Sequence, residues 1–369
     1  MRIVEVNEID RLLSYRDDWG RLLAETPDAC FFQTLDWLAI YWRYFGRDQR
    51  LRTLLVYEGN RLVGILPLAV KTTATRAGAV RTLGYPLDGW GTRYGPIGSN
   101  VRTVLSAGLR HIEETARNWD LLELDWTPRD CREDVIAAFE DVRIRPQICS
   151  RDDISLVDLS RGWDDYWMTR REKHRSNVRR AEKKLATLGP VEMLCCRPSD
   201  SGRSKDCDAA DARWDLYETC EQIAGQSWQG ASSTGTTLTH ERVRRFLRDV
   251  HEVAARIGAV SVYLLSVGGE PAAFSYNYAF YGTEFGLRMG YNPKFKSAGP
   301  GTVLIHRMLQ EAFAGEQCQL DLGEGESSYK HAWRTHAMPS FRFCRYAKTS
   351  LRAQALRWKR HWWGELSLR

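Results

Sequence analysis

Apolar and polar positions alternate along this chain in two rhythms. Leu304, Ile305, Met308, Leu309, Ala312 and Phe313 recur at helical spacing and predict a helix over 302–314. Phe274, Tyr276, Tyr278 and Phe280 alternate one by one, as the residues of a half-buried strand do. The stretch LRTLLVYEGNRLVGILPLAVK from Leu51 reads as two strands turning at Gly59-Asn60, and AVSVYLLSVGGEPAAFSYNYAF from Ala259 reads as two more turning at Gly268-Gly269. A further strand follows in TEFGLRMGY, with Phe285, Leu287, Met289 and Tyr291 on one face.

These elements come twice in one order. An apolar helix at 34–45 precedes the first hairpin, and a helix at 239–256 precedes the second. After the first hairpin come YGPIGSN, a helix carrying Val101, Val104, Leu105, Leu109 and Ile112, and the strand DLLELDW ending near Asp125. After the second come AGPGT, the helix at 302–314, and the strand QCQLDLG ending at Asp321. Repetition of helix, hairpin, Gly-Pro turn, helix and strand predicts a duplicated α/β unit. The expected division is 1–155, 156–350 and a basic, aromatic tail at 351–369.

Four stretches carry a resemblance to a known family: RSNVRRAEKKL (Arg175–Leu185), SWQG (Ser227–Gly230), GPGTVL (Gly299–Leu304) and DLGEGESSYKHAW (Asp321–Trp333). With the element order, they resemble the GNAT acyltransferases, and two units in one chain resemble the Fem-type and CelD-like double-GNAT proteins. The implied fold class is α/β (α+β), with tandem GNAT units that are each a mixed sheet flanked by helices. The implied activity is direct transfer of an acyl group, acetyl in the first instance, from acyl-CoA to an amine or hydroxyl of a sugar-like or metabolite acceptor. The CelD-like branch belongs to bacterial polysaccharide loci. It often has Lys where this chain has Gln229, and Ser-Pro-Gly where this chain has Gly299-Pro300-Gly301. The N-terminal unit shares the architecture only, and is expected to be a degenerate copy on the acceptor side. A Fem-type transferase drawing on aminoacyl-tRNA, or a binding module without catalysis, are the alternatives.

The resemblance sharpens what the residues offer. A helix that starts at Gly-Pro-Gly presents unpaired N–H groups to an anion, and glycine lets that anion come close. In GNAT enzymes the corresponding turn holds the pyrophosphate of coenzyme A. That implies Gly299, Gly301, Thr302 and Val303 as amide donors here, with Lys296 adding charge. Direct transfer also needs a deprotonated acceptor, a polarised thioester carbonyl and a proton for the departing thiolate. Asp321, Tyr329 and Lys330, where a strand opens into a Gly-broken loop, are the catalytic candidates. Arg175, Arg179, Trp228 and Tyr276 are the acceptor-binding candidates.

Charge and composition narrow the partners. Eight Lys or Arg between Arg170 and Lys184, against two acids, form the basic outer face of a helix docked by Val178, Ala181, Leu185 and Leu188. A net charge of +6 over 369 residues suits an anionic small molecule and is thin for a long polyanion such as tRNA. Nine cysteines without CxxC pairs exclude a zinc ribbon or disulfide framework, and Cys195-Cys196 reads as a reduced pair. His331 and His336 share no helical face, so no metal is expected. No apolar run spans a bilayer and the start lacks the apolar core of a signal peptide, which predicts a cytoplasmic protein. The C-terminal LRWKRHWWGELSLR is expected to pack on the body, with membrane contact as the alternative.

Overall fold

The computed structural model describes residues 1–75, 78–197, 212–227, 229, 230, 232, 235 and 237–362. Contacts divide the chain into two units, Met1–Asp153 with Met338–Arg369, and Ile154–Ala337. The chain therefore returns to the first unit at Met338, before the boundary at 350 expected from the sequence. Strand Ser340–Tyr346 draws it back by pairing antiparallel with Leu121–Pro128 on one side and Gln147–Ser150 on the other. The segment beyond 350 likewise belongs to the first unit.

The first unit holds a three-stranded sheet (Arg2–Val6, Thr53–Glu58, Arg61–Leu66) and a six-stranded one. The six-stranded sheet contains a second hairpin, Ala69–Thr75 with Gly78–Gly84, that the apolar pattern did not reveal. Its strands carry Lys71, Thr72, Thr73 and Arg81, so no clean alternation marks them. Helix Val101–Glu114 buries Val104, Leu105, Leu109 and Ile112 against Leu54, Leu66, Leu83 and Leu122.

The second unit is one seven-stranded sheet. Its order is Val191–Cys196, Val260–Val267, Glu270–Phe280, Thr283–Tyr291, Gln319–Glu324, Ile154–Asp158 and His336–Met338. Helix Pro300–Ala314 covers one face with Val303, Leu304, Ile305, Met308 and Leu309, each side chain contributing about 1.5–3 kcal/mol by burial. Beside it lies the basic helix Glu172–Ala186, which docks through Val178 and Leu185. Leu188 falls beyond its end and is exposed, so the docking stripe is shorter than expected. Cys195 is a free thiol, but Cys196 is disulfide-bonded, against the expectation of a reduced pair.

The duplication is visible in register. In the first unit the parallel pairing of Gly78–Gly84 with Leu121–Pro128 spans Thr82↔Leu121 to Gly84↔Glu123. In the second, Thr283–Tyr291 pairs with Gln319–Glu324 only from Thr283↔Gln319 to Phe285↔Asp321. Both pairs stop after three positions, and both place a glycine at the parting. A Cβ at Gly84 would sit 2.6 Å from the Glu123 carbonyl oxygen, and one at Gly286 would sit 2.9 Å from that of Asp321. No side chain fits between strands that close, so glycine is dictated where they begin to separate.

Candidate functional site

The second unit presents an open strand edge. Beyond Phe285, the strand to Tyr291 has no strand partner among the described residues on the side of Gln319–Glu324, although its antiparallel pairing with Glu270–Phe280 continues. In this open stretch the Met289 carbonyl accepts a hydrogen bond of 3.0 Å from Gln229 Nε2. Gln229 is only 1% exposed, and its Oε1 is buried without a hydrogen-bond partner among the described residues. A buried acceptor left unpaired costs about 1–3 kcal/mol.

The open strand runs directly into the turn before helix Pro300–Ala314. Residues Pro293–Ala298 form a short 3₁₀ segment that ends at Gly299, whose φ of 73° and ψ of 47° lie in the left-handed region. The helix has no side-chain cap. Its start is less bare than the sequence suggests. The Gly299 N–H donates to the Lys296 carbonyl at 3.2 Å, and the Gly299 carbonyl accepts from Thr302 N–H at 3.1 Å and from Val303 N–H at 3.4 Å. Pro300 offers no N–H, which leaves the Gly301 N–H without a partner among the described residues. Of the four expected amide donors, Gly301 is the free one.

Glycine at 301 is not required by the fold. A Cβ there would meet only Tyr291 Cδ1, at the ordinary contact distance of 3.8 Å. Lys296 is exposed beside the turn. The basic helix also reaches it: Lys184 Nζ donates to the Ser297 carbonyl at 2.8 Å, and Ala181 lies 3.4 Å from where a Gly299 Cβ would be. Sequence reasoning passed over Lys184. Its position three residues after Ala181, on the docked side of the helix, was the available signal.

Across the opening, Asp321 is 2% exposed and its Oδ1 accepts from the Gly323 N–H at 2.6 Å. This ties the carboxylate to the loop through the left-handed Gly323. Lys330 is buried and its Nζ donates to the Glu324 carbonyl, holding the same loop from the short helix Ser328–Trp333. Tyr329 on that helix is 39% exposed; partial desolvation raises its phenol pKa. Trp333 closes the layer beneath, with His174 at 4.4 Å and Trp167 at 6.1 Å between ring centroids. Burial, with Arg170 and His306 nearby, lowers the His174 pKa and favours its neutral ring.

The four acceptor-binding candidates separate. Arg179 is exposed on the basic helix, without a partner among the described residues. The Arg175 guanidinium donates to the carbonyls of Met168 and Arg170, both at 2.9 Å, and so closes the end of helix Trp163–Met168. Tyr276 is 2% exposed under helices Trp214–Gln226 and Glu241–Arg256, with its hydroxyl 3.0 Å from His251 Nδ1. Trp228 lies outside the described residues. Among the described residues no group of three or more His, Cys, Asp or Glu is placed to hold a metal ion, and no helix is long and apolar enough to cross a membrane.

The first unit has a cleft of its own, about 280 Å³, lined by Lys71, Thr73, Asp88, Glu123, Asp125 and Arg360. Its charges are largely matched: Lys71 pairs with Asp88 at 2.5 Å, and Arg360 with Glu123 at 2.9 Å.

Comparison with known proteins gives a family match for the second unit and a likeness of fold for the chain. Residues 172–331, all within the second unit, match the acetyltransferase (GNAT) domain family. No curated protein matches the sequence. Among solved structures the fold is similar to that of FemX, with a TM-score of 0.60 at 10% identity over 97% of this chain and 99% of that one. It is also similar to L-PGS from Bacillus licheniformis, with a TM-score of 0.55 at 14% identity over the full length of both chains. The C-terminal domain of a putative lysylphosphatidylglycerol synthetase from Agrobacterium fabrum gives 0.52 at 10% identity, over 95% of each chain. At these identities the likeness is one of fold.

Proposed function

We propose that this protein, whose residues 172–331 match the acetyltransferase (GNAT) domain family, transfers an acyl group from acyl-CoA directly to an amine or hydroxyl of a sugar-like or metabolite acceptor. One observation carries the reading: the open edge of Thr283–Tyr291 leads into a helix start that has no side-chain cap and a free Gly301 N–H. Under this proposal the pyrophosphate of coenzyme A sits at Gly299–Val303, favoured by the helix dipole and by Lys296 and Lys184. The extended pantetheine arm follows the open strand edge.

The acceptor's lone pair then attacks the thioester carbonyl, the carbon–sulfur bond breaks, and the thiolate takes up a proton. Tyr329, with its raised pKa, holds its proton at neutral pH and is the proposed donor. Asp321 is proposed to orient the loop and Lys330 to fix it, through the bonds to Gly323 and Glu324. Arg179 is the proposed contact for the acceptor, while Arg175 and Tyr276 support it through structure. A cytoplasmic enzyme of bacterial polysaccharide assembly is the setting that the motifs favour.

A Fem-type reading, with aminoacyl-tRNA as donor, is favoured by the exposed basic face of Glu172–Ala186. Salt separates the two donors. A polyanion releases many counterions on binding and its affinity falls steeply with salt, whereas a single acyl-CoA responds weakly. Calorimetry should give micromolar binding of acetyl-CoA with weak salt dependence, and filter binding should give no stable tRNA complex near physiological salt. Tight, steeply salt-dependent tRNA binding with no response to any acyl-CoA would replace the first reading with the second.

A further inference from the structure

The last described helix, Leu351–Trp362, has two unlike faces. Its inner face is fastened to the first unit: Ala353 and Leu356 are buried, and the Arg360 guanidinium donates to Glu123 at 2.9 Å and to the Tyr346 hydroxyl at 3.1 Å. Its outer face carries Leu351, Trp358 and Trp362, which are 88%, 70% and 75% exposed. Their spacing of seven and four residues aligns them on one stripe. The two indoles lie against each other, 5.5 Å between centroids. Single exposed apolar residues need no explanation, but two adjoining tryptophans and a leucine on one ridge form a patch.

The helix itself carries charge of one sign. The helix contains Arg352, Arg357, Lys359 and Arg360 and no Asp or Glu, and Lys348 stands exposed just before it. Apart from Arg360, none of these cations has a carboxylate partner among the described residues. We infer that this ridge docks on an anionic lipid surface, with Trp358, Trp362 and Leu351 seated at the headgroup level and the surrounding Lys and Arg on acidic headgroups. Indole suits that layer, with an apolar body and a polar N–H. A helix held by its inner face lies naturally in the plane of the interface, and cations near it add attraction. A second copy of the chain fits less well, because a twofold contact would set this cationic ridge against itself. Single-stranded nucleic acid also fits less well, since the two indoles already contact each other and leave no slot for a base.

The test is co-sedimentation with vesicles of phosphatidylcholine, with and without three parts in ten of phosphatidylglycerol. The full chain should partition onto the anionic vesicles at least about tenfold more strongly than onto the neutral ones. Trp358→Ser with Trp362→Ser should remove most of that binding while leaving the melting temperature unchanged, because both indoles are exposed in the fold. Equal partitioning on both vesicles, or full binding by the double variant, overturns the inference. So does a wild-type dimer that the double substitution converts to monomer. Loss of tRNA retention in the double variant, with no vesicle binding by wild type, overturns it in favour of nucleic acid.

Discussion

The two units diverge at the same two places, the gap between the parting strands and the start of the helix that follows. In the first unit the protein's own groups engage both, although cavities remain beside them, lined by Gly84, Tyr85, Glu123 and Trp126 and by Tyr94, Gly95, Pro96 and Val101. The Tyr94 N–H donates to the Trp126 carbonyl at 3.3 Å, and the Tyr94 ring packs on Tyr85 at 4.9 Å. Helix Val101–Glu114 is capped by Asn100, whose side-chain oxygen accepts from the Thr103 N–H at 2.8 Å. Ile97 is pinned by mutual backbone bonds of 2.8 Å with Ile65. In the second unit the open strand carbonyl of Met289 meets Gln229, and helix Pro300–Ala314 lacks a side-chain cap. The helix start is capped by a side chain in one copy of the duplicated frame and uncapped in the other. Under the proposed function that vacancy, and not the architecture alone, is what would admit a donor.

The largest difference to exploit is acid sensitivity. In the second unit His251 is fully buried between Tyr276 and the Ala212 carbonyl, 2.5 Å from its Nε2, and desolvation lowers its pKa from 6.5 to about 4. The folded ring stays neutral while the unfolded one is protonated below pH 6.5, so the unfolded state binds more protons. Stability is whole above about pH 6.5 and falls by about 3 kcal/mol as pH drops toward 4. In the first unit Asp120, held down to about 2 chiefly by its hydrogen bonds from Arg81, loses its contribution only as pH falls below about 4. Calorimetric melts at pH 7 and 4.5 should show the second unit giving way first, and His251→Gln should flatten that dependence. Identical pH slopes for wild type and variant would refute the assignment.

Next in size is the proposed donor site. Gly301→Val leaves the fold intact, since its Cβ meets nothing closer than 3.8 Å and valine is a better helix former than glycine. It should weaken acetyl-CoA binding at least about tenfold, near 1.4 kcal/mol, by crowding the free amide. Unchanged affinity in titration calorimetry would remove the turn from the donor site. The smallest effect is the mirror experiment. Asn100→Ala should destabilise the protein by about 1 kcal/mol in denaturant titration through its lost cap, and leave acetyl-CoA affinity alone. A change in that affinity would break the contrast between the units.

Much of this was legible in the sequence where one rule acts locally. Helical spacing from Leu304 to Phe313 and the Gly268-Gly269 turn each reflect nearby chemistry, and both elements stand where they were expected. What escaped depends on partners far along the chain. Ser340–Tyr346 is a strand of the first unit because Leu121–Pro128 lies free to receive it, which no local pattern announces. Among the site residues, Gly301 and Thr302 look alike as amide donors until the Gly299 carbonyl is seen to engage one and not the other. Gln229 stood in a motif as a departure from Lys, but its unpaired buried oxygen is a property of packing.

The return of Ser340–Tyr346 sets an order on synthesis. The first unit begins to emerge first, yet its six-stranded sheet lacks an interior strand until residue 346 has left the ribosome. The contiguous second unit, complete at Ala337, can fold before that moment. Until then the nascent first unit exposes the unpaired edges of Leu121–Pro128 and Gln147–Ser150, the kind of edge on which chains aggregate. The half of the protein that is begun first is thus the half that is finished last.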